Sequence, residues 1–286
     1  MRESILSFPG LGIGEFTVDS VAFEIFGISI AWYAIIITFG MICAVAYTIF
    51  RGSKVGITVD DVIDFALFAI PIGIIGARAY YVLTKLDEYD SFLDIINIRN
   101  GGLAIYGGII AGAIAVLGVS YFKKINFFAV ADCCTPGIIL AQAIGRWGNF
   151  MNGEAFGAET EIFCRMGVNN FLTSYQMTYV HPTFFYESMW NVIGFILINI
   201  FYRHRKYDGQ IFLMVFGWYG LGRMFIEGLR ADSLYTTIGS LTFRTSQVLA
   251  AVIFVICAAV LVYLAVKKYE KPLYVKPEVK KEDAKK

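Results

Sequence analysis

From Thr245 to Val266 the chain reads TSQVLAAVIFVICAAVLVYLAV, without a single charged residue. An α-helix needs about 20 predominantly apolar residues to cross the hydrocarbon core of a bilayer. This segment meets both the length and the composition that a crossing requires. The sequence therefore predicts a membrane-spanning helix from Thr245 to Val266.

Six more segments share this length and this apolar character. They are Ile28–Phe50, Val62–Thr84, Gly101–Phe122, Phe127–Met151, Thr183–Tyr202 and Gln210–Leu229. Strands of a membrane barrel would instead be segments of about ten residues with alternating polarity. The predicted fold is therefore all-α, a polytopic integral membrane protein with seven transmembrane helices.

The composition agrees with this class of protein. Hydrophobic residues make up 57% of the chain and charged residues 16%, against about 45–50% and about 25% in soluble domains. So little charge excludes an ordinary water-soluble enzyme and a disordered chain. The net charge of +1 gives no general attraction to nucleic acid. We therefore expect no nucleic-acid partner. The five cysteines show no C-x-x-C or Cys/His metal spacing, so we expect no metal, and no cofactor is expected either.

The orientation in the membrane follows from the 24 lysines and arginines. The connections around Arg51, Lys123 and Arg203, together with the C-terminal tail, hold most of them. Cytoplasmic connections carry the excess of positive charge. We therefore expect the tail in the cytoplasm, and the N-terminus and the Asn152–Pro182 loop outside.

Three regions are expected along the chain. Residues 1–27 do not resemble a cleavable signal, because Pro9 and Gly10 interrupt the stretch where an apolar core should run. They are predicted to form an extracytoplasmic interfacial arm. Residues 28–266 form the seven-helix transmembrane domain. Residues 267–286 are rich in lysine and glutamate, which predicts a disordered cytoplasmic tail.

Seven charged residues lie inside the predicted spans. They are Asp64, Arg78, Asp132, Arg146, Glu187, Arg223 and Glu227. A charge at membrane depth costs at least about 2.5–3.5 kcal/mol on insertion scales, so such residues usually face a cavity or each other. Three of the acids, Asp64, Asp132 and Glu187, lie near the ends of their spans, which favours solvated or capping roles.

The three arginines lie in the outer halves of their spans under the expected orientation. If Arg78, Arg146 and Arg223 converge, they form an anion site, since the planar guanidinium donates two parallel hydrogen bonds to a phosphate. The alternative is that each snorkels or pairs with a carboxylate. Arg223 and Glu227, spaced i and i+4, are placed for such a pair.

The run Gly145–Gly157 reads GRWGNFMNGEAFG and combines a cation, amides and a carboxylate at a membrane boundary. It closely resembles G-R-x-G-N-F-x-N-x-E-x-x-G, the signature of the bacterial prolipoprotein diacylglyceryl transferases, at every fixed position. The resemblance extends from about Phe8 to Val266. Other matching stretches are Trp32-Tyr33, Gly76-Ala77-Arg78, Gly101–Gly108, His181-Pro182-Thr183 with Tyr186-Glu187, and Tyr219–Arg223 with Glu227 and Arg230.

The resemblance implies a transferase, with residues 28–266 as its catalytic domain. It would move the diacylglyceryl group of phosphatidylglycerol to the lipobox cysteine of a prolipoprotein, releasing glycerol phosphate, as the first step of bacterial lipoprotein maturation. The implied partners are phosphatidylglycerol, other membrane lipid and lipobox-bearing signal peptides. The implied place is the bacterial cytoplasmic membrane, with the active site in its outer half.

The resemblance also assigns candidate roles. The implied phosphatidylglycerol-binding residues are Arg146, Asn149, Glu154, Gly157, Tyr33 and Arg78. The implied catalytic residues are Arg223, Arg146, Tyr106, Tyr219, Glu227 and His181. Many family members carry histidine at the position of Tyr106, where it resembles the base that activates the thiol. Tyrosine, with an ordinary pKa near 10, is a poor base at neutral pH, so His181 is the other candidate.

A different class of function also fits the buried arginines. A membrane transporter or channel for an anionic substrate would use midplane cations and glycine-broken helices. Such a protein would be expected to show internal repeats, which the first and last three spans do not. An intramembrane protease is disfavoured, because the chain contains neither H-E-x-x-H nor G-x-S-x-G.

Overall fold

The computed structural model describes residues 3–86, 89, 91–98, 101–231, 235–238 and 241–277. Within these residues the chain is mostly helical. The helices are α1 (Trp32–Gly52), α2 (Val59–Thr84), α3 (Phe92–Ile96), α4 (Ile105–Lys123), α5 (Phe127–Asn152), α6 (Thr183–Phe201), α7 (Gln210–Ile226) and α8 (Thr245–Val266).

Six of the helices in the described part of the chain are long and apolar enough to cross a membrane, namely all but α3 and α7. This content is that of a mostly helical, polytopic membrane protein. Seven spans were expected, and the difference lies in α7. This helix has 17 residues and passes directly into a 3-10 turn, Glu227–Leu229, so only the helix and turn together fill the predicted Gln210–Leu229 segment.

The all-α prediction is wrong where the chain lies outside the long helices. The described residues include β1 (Glu3–Phe8), β2 (Ile13–Asp19), β3 (Val21–Ile25), β4 (Ile28–Ala31), β5 (Met166–Asn169), β6 (Thr178–Val180), β7 (Tyr235–Ile238) and β8 (Leu241–Arg244). The first three strands lie in the predicted interfacial arm, residues 1–27. Because β4 takes Ile28–Ala31, the first helix begins at Trp32 and not at Ile28.

The largest sheet joins the N-terminal segment to the Asn152–Pro182 loop. Its strands are antiparallel in the order β2-β1-β5-β6. Leu6 in β1 lies opposite Val168 in β5, and both side chains are fully buried. Asn170 donates from Nδ2 to the Gly153 carbonyl oxygen at 2.8 Å and to Ser4 Oγ at 3.1 Å. The sheet thereby fixes the end of the Gly145–Gly157 run.

The chain divides into two compact units, and the boundaries fall inside α1 and α5. The first unit comprises residues 1–46 and 134–272, and the second comprises residues 47–133 and 273–286. In the second unit α2 packs closely on α4. A Cβ added at Gly73 would lie 3.4 Å from the Gly108 carbonyl oxygen, so small residues permit this close approach of the two backbones.

In the first unit, two tryptophans fix α6 against α7. The indoles of Trp190 and Trp218 stack with ring centroids 4.3 Å apart. Each Nε1 donates to the other residue's carbonyl oxygen at 2.9 Å. An added Cβ at Gly194 or Gly222 would overlap one of the indoles. This reciprocal arrangement sets the register of two helices that both carry buried charge.

The start of the C-terminal tail makes defined contacts, although most of its described residues are exposed. In the first unit, the Lys271 amide donates to the Lys206 carbonyl oxygen at 3.0 Å. In the second unit, the Lys276 amide donates to the Val55 carbonyl oxygen at 2.9 Å, and its ammonium pairs with the buried carboxylate of Asp61. Residues 267–277 are thus held by defined contacts. The remainder of the predicted disordered tail, 278–286, lies outside the described residues.

Candidate active site

A buried carboxylate in α6 gathers arginines from separate parts of the first unit. Glu187 is 4% exposed. Its Oε1 accepts hydrogen bonds from Arg223 Nη1 at 2.7 Å and from Arg230 Nη1 at 3.4 Å. Its Oε2 forms an ion pair with Arg146 Nη2. The arginines come from α5, from α7 and from the residue that follows the 3-10 turn.

The second carboxylate of this group is Glu227. Its Oε2 lies 2.5 Å from Arg223 Nη2, so the i,i+4 pairing that the spacing suggested does form. Glu227 is 1% exposed, and its carbonyl oxygen accepts a hydrogen bond from Arg244 Nη1 at 2.6 Å. The arginine cluster is defined here as the three guanidinium groups and two carboxylates of Arg146, Arg223, Arg230, Glu187 and Glu227. It carries one formal positive charge.

The solvated role predicted for Glu187 is wrong, and the sheet gives the reason. Glu187 lies one turn inside the start of α6, but that end of the helix is covered: Phe184 is buried against the core of the sheet. Asp132, expected near solvent for the same reason, is 1% exposed. A residue near the end of a helix is close to solvent only where no other part of the protein packs over that end.

The Gly145–Gly157 run joins the arginine cluster to a row of polar side chains. Arg146 Nη1 donates to Asn149 Oδ1 at 3.4 Å. Asn149 and Asn152 each donate from Nδ2 to Glu154 Oε1 at 3.1 Å. Helix α5 ends at Asn152, and the positive φ of Gly153, +61°, turns the chain so that Glu154 folds back on the helix end.

Gly157 and His181 hold the loop against the turn that carries Arg230. The Gly157 amide donates to the His181 carbonyl oxygen at 2.9 Å, and Gly157 forms an isolated bridge with Arg230. A Cβ at Gly157 would lie 2.7 Å from the Leu229 carbonyl oxygen, which leaves no room for a side chain. The role of Gly157 in this structure is therefore to let its backbone approach the neighbouring segments closely.

Of the predicted tyrosines, Tyr33 lies near these residues in space and Tyr219 lies near Arg223 along the chain. Tyr33, in the first turn of α1, lies over the buried Gly148: a Cβ added there would come within 2.7 Å of Tyr33 Cδ2. Tyr33 is 37% exposed, so its ring also has an open side. Tyr219 is half-buried in α7, one turn before Arg223.

His181 contacts a tyrosine, which in turn contacts a thiol. Its Nδ1 lies 3.4 Å from Tyr186 Oη, which in turn lies 3.5 Å from Cys164 Sγ. Tyr186 directly precedes Glu187 in the sequence, so this row of titratable side chains is linked through the backbone to the arginine cluster. Within the described ranges, no group of three or more His, Cys, Asp or Glu side chains is placed to hold a metal ion.

Arg78 and Tyr106 belong to the second unit. Arg78 donates from Nε to the Ile95 carbonyl oxygen at 2.7 Å, from Nη2 to that of Asp94 at 2.7 Å, and from Nη1 to those of Gly101 and Gly102 at 2.9 and 3.0 Å. Its donors therefore bind backbone. Of the three span arginines expected to converge, Arg146 and Arg223 come together, and the third guanidinium at Glu187 is that of Arg230. Tyr106 is half-buried in the first turn of α4.

An apolar cavity of about 350 Å³ lies in the first unit beside the arginine cluster. Helices α1, α5 and α6 line it. The lining residues are Ile35, Ile36, Phe39, Leu140, Ala143, Ile144, Trp147, Ser188 and Val192. Trp147 and Ser188 directly follow Arg146 and Glu187 in the chain.

Glu187 and Arg230 are the site residues that the sequence assignment left out. Both lie in stretches that resemble the family, Tyr186-Glu187 and Tyr219–Arg230, and that resemblance was the available signal. What sequence could not supply was the contact between them, which joins positions 43 residues apart.

Known proteins resemble this chain over most of its length. The family model described as prolipoprotein diacylglyceryl transferase matches residues 20–263. A phosphatidylglycerol–prolipoprotein diacylglyceryl transferase of Enterococcus faecalis is 43% identical over 260 residues, covering 86% of this chain and 90% of that protein. Proteins of the same name from Listeria monocytogenes and Clostridioides difficile are 41% identical over 263 residues and 44% identical over 236 residues. The first of these matches spans 90% of this chain and 94% of the Listeria protein, and the second spans 82% of this chain and 91% of the Clostridioides protein. The chain belongs to the prolipoprotein diacylglyceryl transferase family.

Proposed function

We propose that this protein transfers the diacylglyceryl group of phosphatidylglycerol to the lipobox cysteine of prolipoproteins. The single observation that carries the proposal is the buried arginine cluster, built on the Gly145–Gly157 run in a member of this family. The curated relatives are named for the same lipid and the same acceptor. A transferase of this kind needs an anion site within a membrane protein, and the cluster provides one.

The reaction exchanges one bond for another at a glyceryl carbon. The substrate thiolate attacks that carbon, the carbon–sulfur bond forms, and the bond from carbon to the phosphate oxygen breaks. The bonding pair leaves with glycerol phosphate, and the thiol proton passes to a base or to solvent. The nucleophile belongs to the prolipoprotein, so the enzyme itself requires none.

The arginine cluster fits the charge that develops in this reaction. The lipid phosphate is a diester with one negative charge, and it leaves as a monoester with close to two. Arg146 is assigned to the headgroup phosphate and Arg223 to the leaving oxygen. Preorganised donors in a water-poor site stabilise such growing charge, and the net positive charge of the cluster has the required sign.

The neighbouring residues shape the rest of the pocket in this proposal. The amides of Asn149 and the carboxylate of Glu154, which hydrogen-bond to each other, suit the glycerol hydroxyls of the headgroup. Tyr33 and Tyr219 line the pocket, and Glu227 orients Arg223 through their ion pair. The apolar cavity beside Trp147 accommodates an acyl chain.

We further propose the membrane arrangement predicted from charge. Helix α7 and the turn that follows it complete a seventh span, the N-terminal strands and the Asn152–Pro182 loop lie outside, and the tail lies in the cytoplasm. The site then lies in the outer half of the cytoplasmic membrane. A cysteine introduced as Glu161→Cys, with Cys164→Ser as background, should react with an impermeant thiol reagent in intact cells. One introduced as Lys206→Cys should not, and the opposite pattern would invert the arrangement.

Purified protein in detergent, incubated with labelled phosphatidylglycerol and a lipobox peptide, tests the function. The expected product is the thioether-linked diacylglyceryl peptide, identified by mass spectrometry together with released glycerol phosphate. A peptide with serine in place of the lipobox cysteine is the control and should remain unmodified. An anion transporter would show no product in detergent and would work only in sealed vesicles, which would contradict the proposal.

A further inference from the structure

Glu187 holds a negative charge among the donors that a phosphate would use. Arg223 directs Nη1 to Glu187 and Nη2 to Glu227, at 2.7 and 2.5 Å. Arg146 directs Nη2 to Glu187 and Nη1 to Asn149. In both residues the two Nη atoms are therefore engaged, so a phosphate that binds across the Nη atoms of either guanidinium competes with Glu187 for them.

This arrangement matters most after the reaction. Charge-assisted, bidentate hydrogen bonds between arginine and phosphate are among the strongest in proteins. Arg146, Arg223 and Arg230, with side-chain exposures of 23%, 16% and 10%, would therefore bind a monoester product more tightly than the diester substrate. An enzyme with such a site needs a way to release its product.

We infer that Glu187 is an internal competitor for the arginine donors, and that it sets the phosphate affinity of the site so that glycerol phosphate leaves. The inference rests on the proposed function and adds to it a residue that governs product release. Glu187 is suited to this because one carboxylate contacts all three guanidinium groups. It holds them in place when the site is empty and returns to them as the product departs.

The variant Glu187→Gln separates this role from a structural one. It keeps the size of the side chain and one acceptor oxygen but removes the charge. We expect the dissociation constant of glycerol phosphate, measured by calorimetry on the purified protein, to fall about tenfold. KM for phosphatidylglycerol should fall with it, and kcat should fall because release slows. A merely structural loss would raise the dissociation constant and KM together.

Two further variants complete the test. Glu161→Gln makes the same chemical change at a side chain that is 89% exposed, and it should alter neither binding nor rate. Glu187→Asp keeps the charge but shortens its reach, so glycerol phosphate should bind more tightly than to the wild type by a smaller factor. This variant alone suffices if Glu187→Gln does not fold.

The calorimetric measurement distinguishes the two proposals. If the wild-type protein makes no thioether product, the proposed function fails, while the affinity series still reports on competition by Glu187. If the wild type is active and the Glu187 variants bind glycerol phosphate equally or more weakly, the inference about Glu187 is wrong.

Discussion

Two arginines, buried Arg78 in one unit and half-buried Arg146 in the other, show two ways to satisfy a guanidinium in a membrane protein. Arg78 in the second unit donates to four backbone carbonyl oxygens between Asp94 and Gly102. Arg146 in the first unit pairs with the carboxylate of Glu187 and contacts Asn149. Backbone carbonyls are fixed parts of the fold, whereas a side-chain carboxylate can be exchanged for another anion.

The glycines around Arg78 support this reading. Gly101 and Gly102 adopt positive φ angles of +85° and +77°, which turn their carbonyl oxygens toward Nη1. An added Cβ at Gly102 would overlap the guanidinium itself. The segment is thus built around Arg78, which favours a structural role, whereas the carboxylate partner of Arg146, Glu187, is one that a bound anion could replace.

The largest expected effect tests the ligand-binding side of this comparison. Arg146→Ala should reduce transfer by about a hundredfold to a thousandfold, the range found when a preorganised donor to a developing anion is removed. The protein should still accumulate as a folded membrane protein. Transfer is measured with labelled phosphatidylglycerol, and folding by the thermal transition in detergent.

Arg146→Lys serves as the companion variant. Lysine keeps the charge but cannot contact Glu187 and Asn149 with a planar fork, so it should restore little activity. Near-normal transfer by this variant would show that only the charge is needed at this position.

A second prediction tests whether Arg78, which binds backbone carbonyl groups, has a structural role. Arg78→Met removes hydrogen bonds to four carbonyl oxygens and should destabilise the fold by at least about 3 kcal/mol, since each hydrogen bond to a charged group contributes about 1.5–3 kcal/mol. The thermal transition should fall markedly, while transfer per folded molecule changes less than in the Arg146 variants. A stable Arg78→Met protein without activity would place Arg78 among the ligand-binding arginines.

These two arginines also show where sequence reasoning reaches its limit. Both were predicted phosphate ligands, because each lies in an apolar span and in a stretch that resembles the family. Their partners differ: they are backbone carbonyl groups for Arg78 and a residue of another helix for Arg146. Neither kind of partner is visible in the local sequence.

The helices could be predicted more completely than the strands. Apolar length alone placed α5 from Phe127 to within one residue of its end, and α8 over its whole range. The strands of the main sheet have three to seven residues and pair β1 with β5, which lie far apart in the chain. So short a segment gives little pattern, and the partner is known only from the fold.

A smaller effect is expected where the helices that carry the arginine cluster are held in register. Gly222→Ala would push the Trp190 indole away from the Trp218 carbonyl oxygen. It should therefore shift Glu187 relative to Arg223 and lower kcat about thirtyfold, because small misplacements of a positioned group can cost up to about a hundredfold. Gly217→Ala is the matched control on α7, since its added Cβ would meet Cys257 Cβ at an ordinary 3.4 Å. Equal rates in the two variants would exclude the tryptophan pair from positioning the site.

The smallest effect is expected at Tyr106, which lies in the second unit with Arg78. If the first unit carries the chemistry, Tyr106 need not be the base. A free thiol has a pKa near 8.5, so a few per cent is thiolate at neutral pH, and the net positive charge of the arginine cluster would favour that anion. Tyr106→Phe should therefore retain substantial transfer activity, with a loss of about tenfold, or about 1.4 kcal/mol of barrier.

The pH dependence of transfer decides whether this account of the nucleophile holds. In Tyr106→Phe the rate should still rise with pH as the peptide thiol ionises. His181→Ala, assayed beside it, would reveal a base among the hydrogen-bonded groups of His181, Tyr186 and Cys164 if it flattened that rise. Should Tyr106→Phe fall to background while phosphatidylglycerol still binds, the phenol transfers the proton. The chemistry would then require both units, and Tyr106 would be the functional residue of the second.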